Sequence, residues 1–528
     1  MDNKMKFCRS VIILLCLLFA MFLFGISLLQ TVDVSTPETI VFGYDTPLAF
    51  LVALPYVAVA LLLLKRRFRE PSSPWHKRRD GIVWRAPYLL ACLSVLSGVL
   101  WVVQSKAAPV HDPWICFNGA SGFMRGDYSA LEGYYFRRYP FQLGYVFFVE
   151  MLMRFFGLFG FDFAGSAMNM QVVNVVCLGV AYLGLVKIAH ETFKRDAVTL
   201  ITAGLLFLCF QPVMFSTFIY GNTPGFMFSV LTIWFALRFF NADSYKSKAV
   251  WGAASALCVG LAVLNKYNNM IVLVALCIML VLDLLRGSRN LRRFCFSAGF
   301  LLLAVLFGLG MSRFAIWQYE KRSGIQLPDG APILAWAVMG LNESAIAPGW
   351  HNPEPLRVYE HLGYDTAAAN QQHLRDIKAR LSKFAAEPDY TMEFFFRKFT
   401  SQWNEPTFQS IWVNQHGRSG KQSGIAAWVC GSGEPAVKSY MNIYNSLVLF
   451  GFTVGLVRLF KRRKTQETWH LNAVFLPLII LGGVMYHLVF EAKSQYGVFY
   501  FVMMIPVAAY GLLGLVEFAE RKFLQKFL

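Results

Sequence analysis

Long apolar runs recur along the chain, separated by short polar breaks and by two long polar stretches. Twelve runs can be placed, at about 9–29, 47–64, 86–104, 168–188, 197–214, 222–240, 249–264, 270–286, 294–313, 442–459, 471–489 and 497–516. Most approach or reach the roughly 17–25 apolar residues that a helix needs to cross a bilayer core. The pattern predicts an all-α polytopic membrane protein with about twelve transmembrane helices, amphipathic juxtamembrane helices and a mixed extracytoplasmic domain. The first run, "VIILLCLLFAMFLFGISLL", follows basic residues as a secretory leader would. It exceeds the apolar core of such a leader, of about 7–15 residues, and no small-residue cleavage site follows. It is read as a retained helix.

With the N-terminus inside, the even-numbered connections hold "KRRFREPSSPWHKRRD", "HETFKRD", "NADSYKSK", "RGSRNLRR" and "KRRK", and the C-terminal "ERKFLQKF" joins them. Every dense basic cluster then falls on one side, which the positive-inside rule makes cytoplasmic, with both termini there. The stretch 141–163, "FQLGYVFFVEMLMRFFGLFGFDF", is apolar enough to be a thirteenth span, but counting it as one would put "HETFKRD" and "RGSRNLRR" outside. Glu150 and Arg154 share one helical face in it, and it is read as an amphipathic helix in the outer interface. The chain then divides into 1–85 (two helices and a basic loop), 86–313 (a transmembrane module with its first outer loop at 105–167), 314–441 (an extracytoplasmic domain) and 442–528 (the last helices). In the third part, "DTAAANQQHLRDIKARLSKFAAEP" reads as a helix capped by Asp365 or Thr366 and stopped by Pro388. "DYTMEFFFRKFTSQW" reads as an aromatic helix on the membrane surface.

Composition agrees. Of 528 residues, 56% are hydrophobic and 16% aromatic, too apolar for a soluble enzyme of this length. The formal net charge of +18 fits cytoplasmic loops that collect Lys and Arg, not nucleic-acid binding. Eight of the ten cysteines fall in or beside the apolar runs; Cys116 and Cys430 lie in outer loops, where a bridge between them or two free thiols are both open. No H-E-x-x-H, C-x-x-C, Walker or G-x-S-x-G pattern occurs, so neither a metal nor another cofactor is expected.

The candidate chemistry sits in the outer loops. Asp112 follows the third run by about eight residues and reads either as a helix cap or as a working carboxylate. Asp127 follows it. Arg137 and Arg138 stand outside against the charge rule and suit bidentate contact with phosphate, or anchoring to anionic lipid headgroups. "FSTFIYGNTPGF" brings Tyr220 and Asn222 to a helix start, where free N–H groups favour anions. Lys266 lies at a helix mouth, as a functional cation or one that snorkels to the headgroups. Glu491, Lys493 and Tyr496 stand between two late helices, as a site or as a local ion pair.

These motifs, in this order and on this side, resemble the C-type glycosyltransferase superfamily, and more narrowly the protein-mannosyltransferase and aminoarabinose-transferase-like bacterial membrane enzymes. "HDPWICFNGASGF" resembles that group's first outer loop with its catalytic acid. "YYFRRYPFQLGYVFFVEMLMRFFG" is similar to its juxtamembrane stretch, "GLAVLNKYNNMIVL" to its G-L-A-x-L-T-K segment, and "EAKSQYGVFYFVMMIPVAAYG" to its late R-Y-x-L-P-x-x-P segment. The resemblance spans most of 86–516. Two extra spans precede the acidic loop here, Asn222 stands where the second loop often carries an acid, and Gln495 replaces the late arginine. The resemblance implies an inverting transfer of a sugar from a polyprenyl-phosphate donor to a cell-envelope acceptor, at the outer face of a bacterial plasma membrane. It implies Asp112 as the base, with Lys266, Lys493, Arg137 and Arg138 toward the phosphate. Asp127, Tyr220, Asn222, Glu491 and Tyr496 would line the sugar or acceptor pocket. The partners expected are the donor, the acceptor and membrane lipids, without nucleic acid. A flippase or transporter of a lipid-linked saccharide is the alternative; it calls for charged or broken helices at mid-membrane and inverted repeats. A scaffold docking through 314–441 would give Asp112 no role.

Overall fold

The computed structural model describes residues 2–35, 37–69, 79–287, 290–461 and 472–524. Parts of the basic clusters, at 70–78, 288–289, 462–464 and 525–527, lie outside the described residues. The chain opens with α1 (Asp2–Leu29), a hairpin of β1 (Gln30–Ser35) and β2 (Thr39–Tyr44), α2 (Leu48–Arg69) and α3 (Arg79–Ser105). The first outer stretch carries α4 (Asp112–Met124), α5 (Tyr134–Arg138) and α6 (Leu143–Gly157). A central group follows: α7 (Ala167–Phe193), α8 (Asp196–Leu208), α9 (Phe210–Phe215), α10 (Asn222–Asn241), α11 (Tyr245–Asn265), α12 (Met270–Gly287) and α13 (Leu291–Ser323). The second outer stretch holds α14 (Ile333–Leu341), α15 (Glu354–His361), α16 (Thr366–Ala386), α17 (Pro388–Trp403), α18 (Ser410–His416) and α19 (Gly424–Val429). α20 (Glu434–Lys461), α21 (Asn472–Val489) and α22 (Ser494–Ala519) complete it.

Eleven helices among the described residues are long and apolar enough to cross a membrane. They match eleven of the twelve expected runs. The twelfth, 197–214, is broken into α8 and α9 at Cys209, whose backbone is extended (φ −86°, ψ 90°). Pro212 is the cause: in a continuous helix its ring would strike the Leu208 carbonyl and it has no N–H to give. Within a bilayer the freed carbonyls need other donors. Tyr440 donates to Leu208 O at 2.8 Å, Tyr444 to Leu205 O at 2.7 Å and Tyr182 to Cys209 O at 3.3 Å.

Lipid gives helices no hydrophobic reason to associate, so close packing has to hold them. Gly451 and Gly455, spaced as G-x-x-x-G on α20, face Gly511 of α22. A Cβ on Gly511 would lie 1.9 Å from the Gly451 carbonyl oxygen, so these backbones could not approach with any larger residue. Ion pairs tie the helix ends remote from α4 together: Arg195 and Arg458 both meet Glu517, and Arg238 meets Glu191.

The segment 141–163 contains α6, only 15 residues long, and it is not among the spanning helices. Its Glu150 is fully buried and accepts from Arg322 at 2.6 Å, Arg154 at 2.8 Å and Tyr319 at 2.7 Å, which locks α6 to α13. α16 begins as expected: Asp365 accepts from the Ala367 and Ala368 amides at 2.9 Å. The stretch expected as a mixed domain is helical among the described residues, its one strand-like pairing being an isolated bridge between Arg418 and Ala107. The hairpin lies instead at β1–β2, where Val32 and Val34 alternate with Asp33 and pack with Ile40 against Ala347, Trp350 and Ala492.

Candidate functional site

Asp112 is the first residue of α4, and its carboxylate sits in the first turn, where unpaired amides favour negative charge. The chain enters that turn through His111 at φ 52°, a left-handed conformation that few side chains tolerate. Asp112 is thus a helix-start acid one residue past the cap position, which His111 holds, and it has a specific polar partner. Tyr220 Oη donates to Asp112 Oδ2 at 2.9 Å. Gln142 Nε2 donates to the same phenol oxygen at 2.6 Å, and Tyr135 Oη lies 3.0 Å from it. A phenol has one proton and two lone pairs. With its proton on Asp112, Tyr220 accepts from both neighbours, so the Tyr135 proton points toward Tyr220. Cys116 Sγ stands 3.7 Å behind Tyr135. Burial, with the Tyr135 and Asp112 charges adding to it, keeps the Tyr220 phenol well above its usual range, so it stays a donor.

Tyr220 is held by the turn that precedes α10. Gly221 adopts φ 77°, and a Cβ there would lie 2.0 Å from the Asn265 carbonyl. The turn thus rests directly on the end of α11. That end presents Lys266, whose Nζ lies 3.8 Å from the centroid of the Tyr220 ring. Burial lowers Lys266 to about 8, opposed by the charges of Asp112 and Glu491, which both bear on it.

Glu491, between α21 and α22, accepts from Tyr496 at 3.2 Å and stands 3.8 Å from His351 Nδ1. Burial raises its carboxyl, against the charges of His351 and Lys493. The carbonyls just before it are held by Lys398 of α17, fully buried, which donates to those of Leu488 and Phe490 at 3.1 and 3.0 Å and to that of Gly340. Lys493 does not pair with Glu491 as the local reading had it. It meets Glu38 at 2.6 Å, which also accepts from Gln409 at 2.6 Å.

The other expected residues stand apart. Arg138 forms a fork with Glu360, at 2.6 Å from each of its guanidinium contacts, and Arg137 stacks 3.9 Å over Tyr364. The pair is not a free phosphate fork, because folding brings a carboxylate and a ring to it first. Asp127 accepts from the Ser129 amide at 3.0 Å in an exposed turn that closes the far end of α4, the helix that Asp112 opens. That Ser129 contact lowers its carboxyl. Asn222 is buried at the start of α10, and its Oδ1 has no hydrogen-bond partner among the described residues. The open question of a Cys116–Cys430 bridge resolves to two free thiols: Cys116 packs with Tyr135 and Phe136, Cys430 with Trp101 and Ile411. Among the described residues no three His, Cys, Asp or Glu gather closely enough to hold a metal.

Sequence reading missed Tyr135, Gln142, Lys398 and Glu38, and it gave the isolated His351 a surface or loop role. Tyr135 and Gln142 flank the arginines that drew attention, and Lys398 hides in an aromatic helix. The Val–Asp–Val alternation around Asp33 was the available signal for the hairpin that delivers Glu38.

Asp112 and Lys266 thus stand on two sides of one phenol, that of Tyr220. No curated protein matches the chain. Three structures of an oligosaccharyltransferase from Archaeoglobus fulgidus resemble it distantly. One, tethered to an acceptor peptide with an NVT sequon, is 12% identical at a TM-score of 0.42, covering 82% of this chain and 50% of that one. A second, titled as AglB with an inhibitory peptide and a dolichol-phosphate, is 14% identical at 0.42, covering 84% and 52%. The apo form is 12% identical at 0.41, covering 83% and 51%. The chain spans about half the length of these structures. Residues 149–311 match the family described as dolichyl-phosphate-mannose-protein mannosyltransferase, a stretch that includes Tyr220, Asn222 and Lys266 and excludes Asp112 and Glu491. Over those residues the chain carries that family's sequence pattern, in keeping with the C-type glycosyltransferase layout that its motifs resemble.

Proposed function

We propose that this chain is an inverting glycosyltransferase that moves a sugar from a polyprenyl-phosphate carrier to an acceptor hydroxyl of the cell envelope, at the outer face of a bacterial plasma membrane. The observation that carries the reading is the Asp112–Tyr220–Lys266 unit, at the mouth of helices whose sequence matches a lipid-phosphate-sugar family. Positive-inside orientation puts that mouth outside.

Asp112 is the general base. As the acceptor oxygen attacks the anomeric carbon, its O–H bond breaks and the proton passes to Asp112. The bond between the anomeric carbon and the phosphate oxygen breaks on the opposite face, and its electron pair leaves with the polyprenyl phosphate. Lys266 meets the charge that grows on that phosphate. Tyr220, donating to one carboxylate oxygen, leaves the other free to receive the proton. Glu491, Tyr496 and Asn222 supply hydrogen-bonding groups for the sugar or acceptor.

The test is transfer from a radiolabelled polyprenyl-phosphate sugar to envelope acceptors by purified protein. Asp112→Asn keeps the Tyr220 contact and removes the base, and is expected to lower turnover about 100- to 10,000-fold while donor binding persists. Full activity of this variant would overturn the reading.

A further inference from the structure

The connection from α3 to Asp112 is paired with the segment between α18 and α19. The Ser423 amide donates to Gln104 O at 3.1 Å, that of Ser419 to Lys106 O at 2.8 Å, and that of Ala108 to Gly417 O at 3.1 Å. Ala107 and Arg418 form the isolated antiparallel bridge between them. A Cβ on Gly417 would lie 2.5 Å from the Ala108 oxygen, so glycine is what lets the two backbones come this close. Gln171 fixes one side, donating to Ala107 O at 2.9 Å, and Gln422 fixes the other, donating to Asn414 O at 2.9 Å. Residues 416–423 are thus a built edge beside the approach to Asp112. His416 stacks on Trp412 at 4.6 Å and on His111, the residue before Asp112, at 6.0 Å.

This edge is basic and free of acids. No Asp or Glu occurs between Asp80 and Asp112, or between Glu405 and Glu434, whereas elsewhere in 314–441 the two signs are mixed. It carries Lys106, half-buried, and Arg418 and Lys421, both exposed, next to the exposed His111 and His416. None of these three cations forms an ion pair or a side-chain hydrogen bond among the described residues. Glu434, which follows α19, is already taken by Lys438 at 2.5 Å and by Gln415 at 2.6 Å. Cations on the Asp112 side run against the positive-inside distribution, so topology does not call for them. Ala107, opposite Arg418, precedes Asp112 by at most about 18 Å of extended chain. A ligand lying along the edge therefore presents one end to the proposed base.

We propose that this edge binds the acceptor, and that the acceptor is a polyanionic glycopolymer of the cell envelope. Its repeating anions meet Lys106, Arg418 and Lys421, a sugar ring near its end lies against His111 and His416, and its terminal hydroxyl reaches Asp112. The inference rests on the proposed sugar transfer, whose acceptor it names. An anionic lipid headgroup would use the same cations, but it brings no sugar ring to the two exposed imidazoles on the way to Asp112.

The test is fluorescence anisotropy of the full chain in neutral-detergent micelles with two labelled probes, a poly(glycerol phosphate) oligomer and an uncharged dextran oligomer. The wild type is expected to bind the phosphate polymer and not the dextran. Lys106→Gln with Arg418→Gln and Lys421→Gln is expected to weaken that binding about tenfold, the loss of three exposed charge contacts, with thermal unfolding unchanged. Asp112→Asn is expected to bind as the wild type does, so binding is read apart from transfer. Equal binding of the two probes overturns the inference, as does unchanged polymer binding in the triple variant. A triple variant that binds the polymer as before and loses only co-purified phosphatidylglycerol would make the edge a lipid anchor, and also overturns it. Polymer binding without sugar transfer to any acceptor counts against the transfer reading and not against the edge. Sugar transfer to the polymer that the triple variant keeps in full counts against the edge alone.

Discussion

Lys266 holds its ammonium 3.8 Å from the centroid of the Tyr220 ring, whose hydroxyl donates to Asp112 at 2.9 Å. One aromatic side chain therefore separates the site's cation from its anion. The two charges are near enough to feel each other, yet neither quenches the other in a direct pair. A cation over a ring face is worth about 0.5–2 kcal/mol, less than a buried ion pair, so Lys266 stays available to an incoming anion.

Tyr220→Phe removes the hydroxyl and keeps the ring beneath Lys266. Gln142 and Tyr135 then point donors at a carbon, and Asp112 loses its orienting bond. Turnover is expected to fall about 10- to 100-fold, the loss of some 1.4–2.7 kcal/mol of transition-state stabilisation, with little change in KM. A variant that changes KM alone would place Tyr220 in binding, not in orienting the base.

Burial brings Lys266 to about 8. Because the protonated form is the one that meets phosphate, donor affinity should hold below that value and fall as pH rises through it. Lys266→Arg, with a guanidinium that keeps its proton far higher, should abolish that alkaline limb. Steady-state KM for the donor between pH 6.5 and 9.5 reads this directly, and an identical limb in both proteins would show that another group titrates.

Lys398 gives three backbone carbonyls their donor, at Gly340, Leu488 and Phe490. Lys398→Met fits the aliphatic stem but leaves those oxygens bare in a buried place. A loss of about 2–4 kcal/mol is expected, seen as a lower midpoint of thermal unfolding in detergent. The loop carrying Glu491 should also loosen, measurable as faster amide exchange at 489–493.

Burial, partly offset by Tyr135, pushes the Cys116 thiol up to about 12. Thiolate is then scarce at neutral pH. Maleimide should leave Cys116 unmodified in the native protein and label it after denaturation. Gel mobility should be the same with and without reductant, since Cys430 is also free.

Much of the architecture is legible in the sequence because lipid imposes a one-dimensional rule. A spanning helix satisfies all its backbone bonds within itself, so each apolar run declares its own structure. Eleven of the twelve runs obey it. The exception, 197–214, carries its own warning in Pro212, and the break survives because Tyr440, Tyr182 and Tyr444 arrive from other helices to serve its carbonyls. Asp112, Tyr220, Lys266, Glu491 and Tyr496 could be singled out for the same local reason, as polar side chains at helix mouths with no need to be there.

What the sequence by itself determined is which segments are apolar helices, and which polar residues lie at their ends, since hydropathy and charge act residue by residue. Only the tertiary structure decided who meets whom. Glu360, more than 200 positions along the chain, took Arg138 out of contention, and Glu38 from an unforeseen hairpin took Lys493. Tyr220 came to stand between Asp112, 108 positions before it, and Lys266, which follows it in the chain. The physical reason is that a side chain's charge is free or spent according to neighbours within a few ångströms, and those neighbours are chosen by packing among helices that no local pattern orders.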